Sequence, residues 1–425
     1  MGLTPNPALA ISESASHSPD GNGLTTVATD TAILIDGNEQ LAAIATSGDG
    51  TQDHPYLIAN YTIIPDGHGV SIRHTTRYFI LRNVTVHGTG PGSGSSEKYG
   101  FYFWNITSSI IENNTASGFN LGFYLNASRN NTLTGNTAST NINGFYLYSS
   151  GHNTLTGNTA STNSENGIWL EYSSNNTLTG NTVSTNSENG ISLWFASDFN
   201  TLTSNTVSHN SQNGIWLMLS SHNSLISNTA SNNSNGFNLA FASRYNTLIG
   251  NTATTNSENG LRLSSSGNNT LAGNSVSNNH RGFYLEESLN ILLCLNSIRQ
   301  NAVQATSDSA NNIWHNGTHG NYWSDYTGTD NNNDSIGDTP YAIAGGGHNE
   351  DPYPLMVDPG PMVLTVPQSG LGSSSETTTG SPASPGWTHL VLVAALVLVG
   401  VAALALLGAT ALTLRSRIRR ARKKD

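Results

Sequence analysis

Between Gly100 and Asn301 the chain writes one sentence repeatedly, close to NTLTGNTASTNxxNGFYL. The glycines that open each apolar triplet are Gly100, Gly122, Gly144, Gly167, Gly190, Gly214, Gly236, Gly260 and Gly282, at intervals of 22, 22, 23, 23, 24, 22, 24 and 22 residues. A period in this range means a solenoid, because one unit cannot bury its apolar side except against the next. After each glycine the pattern is apolar, variable, apolar, as in Phe123-Tyr124-Leu125 and Ile215-Trp216-Leu217. That period of two is a strand. The leucine of each NTL (Leu133 to Leu271) marks a second short strand, and the following Ala or Val (Ala138 to Val276) a third. Three strands per turn leave no room for a helix in the repeat.

Asparagine recurs three times per unit and suits the corners, since it tolerates left-handed backbone and its amide bonds nearby main chain. Asn131, Asn153 and Asn176 hold one corner and Asn136, Asn158 and Asn181 the next. At the strand spacing of about 4.8 Å, equivalent amides bond from coil to coil as ladders. The expectation is an all-β, single-stranded, right-handed parallel β-helix.

The NGIWL and NTLTGN units resemble the β-helix repeat of the pectin-lyase-like superfamily, in particular its NosD-like (periplasmic copper-binding) and carbohydrate-binding or sugar-hydrolase branches. Gly320 to Ile343, GNYWSDYTGTDNNNDSIGDTPYAI, resembles the segment that closes such helices in archaeal-type surface proteins. The resemblance spans about Ile33 to Met356. It implies the fold; the superfamily hosts lyases, hydrolases, adhesins and accessory proteins alike.

The expected organisation is a disordered stretch at 1–31, a cap and entry coil at 32–68, repeats at 69–319 and a closing segment at 320–356. A Ser/Thr/Pro/Gly-rich stalk follows at 357–386, then a transmembrane helix at 387–414 and a basic tail at 415–425. Residues 1–23 lack a complete signal peptide, although Ala8-Leu9-Ala10 has the look of a cleavage site; the expectation is a truncated leader. Trp387 to Leu414 holds no charge and exceeds the roughly 20 residues that cross a bilayer. Seven Arg and Lys follow, so the positive-inside rule puts the tail in the cytoplasm and the β-helix outside a single-pass membrane anchor. Sequons such as Asn60 and Asn316 are compatible with glycosylation there. Thr89 to Lys98 reads as a flexible loop thrown from one corner.

Cys294 reads as a core residue in ILLCL. Without the tail, 16 − 7 = 9 basic residues face 27 − 1 = 26 acidic ones, which argues against a nucleic-acid partner. Copper needs converging His, Met or Cys. His152 and His222 share a repeat position but lie three coils apart, about 14 Å, and His209 and His280 are isolated, so the spacing argues against copper. Asp330, Asn332, Asp334 and Asp338 place oxygens in a D-x-N-x-D pattern that suits a structural calcium loop, although Tyr341 stands where an EF-hand has its bidentate Glu.

For catalysis the candidates are Glu165 and Glu188, which stack at one repeat position with Glu258 three coils on, and His68 in a GHG triplet. The triplet imitates a signature of pectin-degrading glycosidases but no acidic pair precedes it. A solvated turn face and a turn histidine are the plainer readings. The fuller signal is aromatic. Between the inward residues of each triplet the outward ones run Tyr102, Tyr124, Tyr146, Trp169, Ser192, Trp216, Asn238, Arg262 and Tyr284. Two residues on come Trp104, Asn126, Tyr148, Glu171, Trp194 and Met218. Tyr102, Tyr124, Tyr146, Tyr148, Trp169, Trp194 and Trp216 are therefore candidate sugar-stacking residues, the alternative being cross-strand packing that only stiffens the sheet. The function expected is a surface binding or scaffold module for carbohydrate or cell-envelope polymer. A polysaccharide lyase or hydrolase and a NosD-like transport accessory are the alternatives.

Overall fold

A computed structural model describes residues 27–29, 31–92 and 97–362; the expected span at 387–414 and its basic tail lie outside these residues. Among the described residues no helix is long and apolar enough to cross a membrane.

The chain winds as a right-handed parallel solenoid of three sheets. They hold 12, 11 and 13 strands, and each strand pairs with its counterpart one coil away. We call them the glycine-led, leucine and alanine–valine sheets after their repeat signatures. Register follows the sequence repeat, residue on like residue: Leu155 beside Leu178, Ala138 beside Ala160, Tyr124 beside Tyr146. Leu133, Leu155, Leu178, Leu202, Leu225, Leu248 and Leu271 are fully buried and form one column of the core. The triplet glycine is set by close approach. A Cβ on Gly214 would sit 2.6 Å from the Gly236 carbonyl oxygen and 3.0 Å from the Ala230 methyl.

The solenoid starts earlier than its repeats do. Val27–Thr29, expected in the disordered stretch, pairs with Tyr61–Ile63, and Ile33–Asp36 begins the glycine-led sheet beside Val70–Arg73. The segment expected as a cap and entry coil holds a coil interrupted by a helix, Asn38–Ile44, which buries Leu41. The inserted helix lengthens this coil beyond the period of the repeats. At the other end, Tyr322–Trp323 of the closing segment adds a rung to the alanine–valine sheet.

The corners show three asparagine ladders, one of them interrupted at Asn153, whose backbone N–H alone reaches Asn176 Oδ1. In another, each Nδ2 donates to the next Oδ1 from Asn114 through Asn136, Asn158, Asn181, Asn205, Asn228, Asn251, Asn274 and Asn296 to Asn321, at 2.8–3.0 Å. The left-handed backbone is not the asparagine's own. It belongs to the residue before it, such as Gly135, Gly157, Gly180 and Ser204, which turns the chain so that the amide points inward. A serine ladder, absent from the sequence reading, runs beside them: Ser150 and Ser173 accept the backbone N–H of Ser128 and Ser150, one coil earlier, and donate to the Leu125 and Leu147 carbonyls of the preceding coil. The loop at 89–98 is pinned at its base, where Gly92 and Lys98 both donate backbone N–H groups to Asn120 Oδ1 at 2.8 Å.

Candidate functional site

The outer face of the glycine-led sheet carries the aromatic row in the expected register, from Tyr102 beside Tyr124 to Trp216 beside Asn238. Its rings are half-buried rather than freely exposed. The cause is their own packing. Tyr102, Tyr124, Tyr146 and Trp169 lie nearly parallel, with centroids 5.3, 5.2 and 4.4 Å apart, so each interior ring has both faces covered and shows its edge to solvent. Burial pushes the Tyr124 hydroxyl up to about 12, and Tyr146 is raised further in direction by burial and by donating to Glu171 Oε2 at 2.6 Å. These hydroxyls are neutral donors.

The stacking breaks at the tryptophans. Ser192, buried, takes the place of a ring between Trp169 and Trp216, and Trp194 from the adjoining row turns into the gap at 71° to Trp169 and 54° to Trp216. The indole N–H groups of Trp194 and Trp216 have no hydrogen-bond partner. Beyond them Asn238 is buried, with its carbonyl oxygen unpartnered, and Arg262 pairs with Glu286 at 2.8 Å, which holds the Glu286 carboxyl below its usual range. The tilted indoles, not the stacked tyrosines, offer ring surface; their N–H groups are themselves buried. Tyr148 stands edge-on to Tyr172 at 5.8 Å, at the rim.

Glu165 and Glu188 stack as expected, the Glu188 N–H donating to the Glu165 carbonyl at 3.1 Å. Glu165 accepts from Asn143 Nδ2 at 2.8 Å. Burial, then the Glu165 charge, raises Glu188. Between them and the sheet runs a further asparagine ladder, Asn143, Asn166, Asn189, Asn213, Asn235 and Asn259. Its amides donate toward the start of the solenoid, opposite in sense to the corner ladders.

His68 is not an isolated turn residue. Its ring stacks on Tyr99 at 4.7 Å and 9°, lies 6.1 Å from Tyr102, and its Nδ1 accepts the Tyr99 N–H at 3.1 Å. Burial first, and Arg73 second, lower its pKa, so the imidazole is neutral at pH 7. Arg73 and His74 are held by Asp36. His68 therefore extends the aromatic row by one coil.

Asp330, Asn332, Asp334 and Asp338 share one loop, but their oxygens serve the loop itself. Asp330 accepts the N–H groups of Asp334 and Ser335, Asp334 that of Ile336, and Asp338 that of Asn331. Among the described residues no three His, Cys, Asp or Glu side chains converge as metal ligands. Cys294 is buried and its thiol is pushed up to about 12, so it supplies no thiolate for a soft metal. These residues do not fit a copper site.

Residues 33–213 and 182–328 match the family described as periplasmic copper-binding protein (NosD). A comparison with curated proteins finds no match. Among solved structures, the A-module of mannuronan C-5 epimerase AlgE6 from Azotobacter vinelandii is 15% identical over 62% of this chain and 88% of its own, with a TM-score of 0.51. The periplasmic alginate epimerase AlgG (14%, 63% and 84%, TM-score 0.43) and pectate lyase Pel9A (14%, 69% and 82%, TM-score 0.43) also align. At such identities the likeness is one of fold.

Proposed function

The chain belongs to the NosD family, and from the outer face of its glycine-led sheet we propose that it binds a neutral polysaccharide, as a surface module anchored to a membrane. The observation that carries this reading is the break in ring stacking at Trp169, Trp194 and Trp216, where tilted indoles present ring surface beside the Glu171 carboxylate. Aromatic surface beside a carboxylate suits sugar rings and their hydroxyls. The AlgE6 A-module, a mannuronan epimerase, accords with a polysaccharide ligand, but acidic residues dominate this chain and favour an uncharged one. Native affinity electrophoresis of the full chain in laminarin or galactomannan gels tests the reading. We expect retardation that falls at least fivefold in Trp169→Ala/Trp216→Ala; no retardation of the wild type overturns it.

An enzyme is the second reading, favoured by the neutral His68 set between Tyr99 and Tyr102 near Arg73. Because Nδ1 accepts the Tyr99 N–H, the neutral ring carries its proton on Nε2, and a donor beside a cation suits holding a uronate carboxylate or protonating a leaving oxygen. Release of unsaturated sugar, followed by ultraviolet absorbance and lost in His68→Ala, would move it first. Membrane anchoring rests on Trp387–Leu414 and the basic block after it; extraction of the chain from membranes by alkaline carbonate would sink it. Calcium at Asp330, Asn332, Asp334 and Asp338 rests on the D-x-N-x-D spacing, and coincident melting curves in calcium and in EGTA would remove it.

A further inference from the structure

The corner between the glycine-led and leucine sheets has two left-handed positions in most coils and a third, Ala196 or Ala242, in the coils of Phe195 and Phe241. Most coils fill them with residues suited to the turn: Ser149 and Ser265 at the first, Asn130, Asn175, Asn268 and Asn290 at the second. Four successive coils do not. Tyr172 (φ 50°), Phe195 (φ 41°), Leu219 (φ 52°) and Phe241 (φ 52°) occupy the first position, and Phe199 (φ 58°), His222 (φ 60°) and Tyr245 (φ 58°) the second, the Tyr172 coil alone keeping an asparagine, Asn175, there. Bulky side chains are outliers in this backbone region, and strain of this kind points to function when it is localised.

These rings are also exposed. Tyr172, Phe199, Phe241 and Tyr245 keep 50, 49, 58 and 56% of their surface in solvent, where an asparagine or serine would serve the turn better. They do not form a separate patch. Tyr172 meets Tyr148 edge-on at 5.8 Å and lies parallel to Phe195 at 5.9 Å, while Phe195 touches Trp194 at 5.1 Å. Phe199 and Tyr245 sandwich His222 at 4.9 and 5.1 Å, leaving their outer faces open. Through Tyr172 and Phe195 the ridge adjoins the tryptophan break on the sheet face, and Phe199, Phe241 and Tyr245 lie in the turns of this and the following coils. Asp198 and Arg244 stand within it in these turns, and among the described residues the Arg244 guanidinium makes no ion pair.

We infer that the corner built by Tyr172, Phe195, Phe199, Phe241 and Tyr245 is a second part of the glycan site, carrying the neutral polysaccharide from the sheet face around the edge of the solenoid. The inference rests on the polysaccharide reading above. Rings with an open face, at consecutive coils spaced by about 4.8 Å, give the sugar-stacking surface that the closed tyrosine ladder does not. A contiguous exposed apolar ridge of this kind is unusual on a chain with no use for it.

The test uses the full chain in the same laminarin and galactomannan gels, with the corner variant Tyr172→Ser/Phe199→Asn/Phe241→Ser/Tyr245→Asn. Each substitution installs a residue that neighbouring coils carry at the equivalent position, so the fold is retained and the melting temperature is unchanged or higher. The expected result is a loss of retention of at least fivefold at that unchanged melting temperature. Retention equal to wild type overturns the inference while leaving the face reading intact, provided Trp169→Ala/Trp216→Ala still loses it. No retention of the wild type defeats both. A corner variant that binds glycan normally but loses self-association in light scattering assigns the ridge to contact between copies and overturns the glycan inference.

Discussion

At the residue scale the corner asparagines do the work of a buried backbone. Asn205 accepts both the N–H and the Nδ2 of Asn181 through Oδ1, while its own Nδ2 donates to the Leu178 carbonyl and to Asn228 Oδ1. Replacing it leaves several buried groups without partners in a site closed to water. Unsatisfied buried groups cost about 1–3 kcal/mol each, partly relieved by relaxation, so Asn205→Ala is expected to lower stability by about 3 kcal/mol. Denaturant unfolding of the two proteins reads this directly, and a loss below about 1 kcal/mol would show that the amides contribute little beyond shape. Asparagine at the corner was legible from sequence, because it recurs at fixed spacing. The division of labour was not. The preceding residue takes the left-handed turn, and that position accepts Gly, Ser, Thr, His or Phe, so it shows no consistent letter.

The same limit operates at the scale of elements. The strands, their register and the outward row were all readable because period two and the coil repeat reinforce each other. How the rings meet was not readable, since a Tyr-Tyr-Tyr-Trp column is compatible with faces outward or faces stacked; the coil spacing of the sheet decides for stacking. The corner ridge escaped for another reason: turn positions look variable, and a Phe there breaks no pattern. Asp351, too, lies outside every repeat. It ends the long corner ladder, accepting from Asn321 N at 2.6 Å and Asn321 Nδ2 at 3.3 Å through Oδ2, and from Trp323 Nε1 at 2.9 Å. Ten aligned amides thus finish on a carboxylate that also ties down the closing segment through the Tyr353 N–H. Burial raises this carboxyl above its ordinary value of 3.8 despite those donors. Between 3.8 and the folded value, the unfolded chain gives up the proton first, so stability falls as pH rises through that window. The melting temperature of the wild type, taken relative to Asp351→Asn, is expected to drop with rising pH above about 4 and then level off. A difference that is flat with pH would mean that the ladder keeps Asp351 ionised throughout.

For the whole molecule, the charge balance decides which polymer can reach the proposed site. Residues 1–414 carry 9 basic and 26 acidic side chains, and the cationic ones near the sheet face are largely paired: Arg73 with Asp36 and Arg262 with Glu286. An acidic solenoid repels a polyuronate over a distance set by ionic strength, about 30 Å at 0.01 M salt and about 10 Å at 0.1 M. A neutral glucan feels no such field. Retention by laminarin is therefore expected to change less than about twofold between low and moderate salt, because ring stacking and hydrogen bonds to hydroxyls carry it. Polygalacturonate is expected to bind more weakly than laminarin at low salt, with the gap narrowing as salt screens the repulsion. The reverse order, with polygalacturonate tighter at low salt and weakened by screening, would mean that Arg73 and the ring cluster around His68 govern recognition. It would place a uronate over the one half-buried, neutral histidine on this face, which is the arrangement the enzyme reading requires.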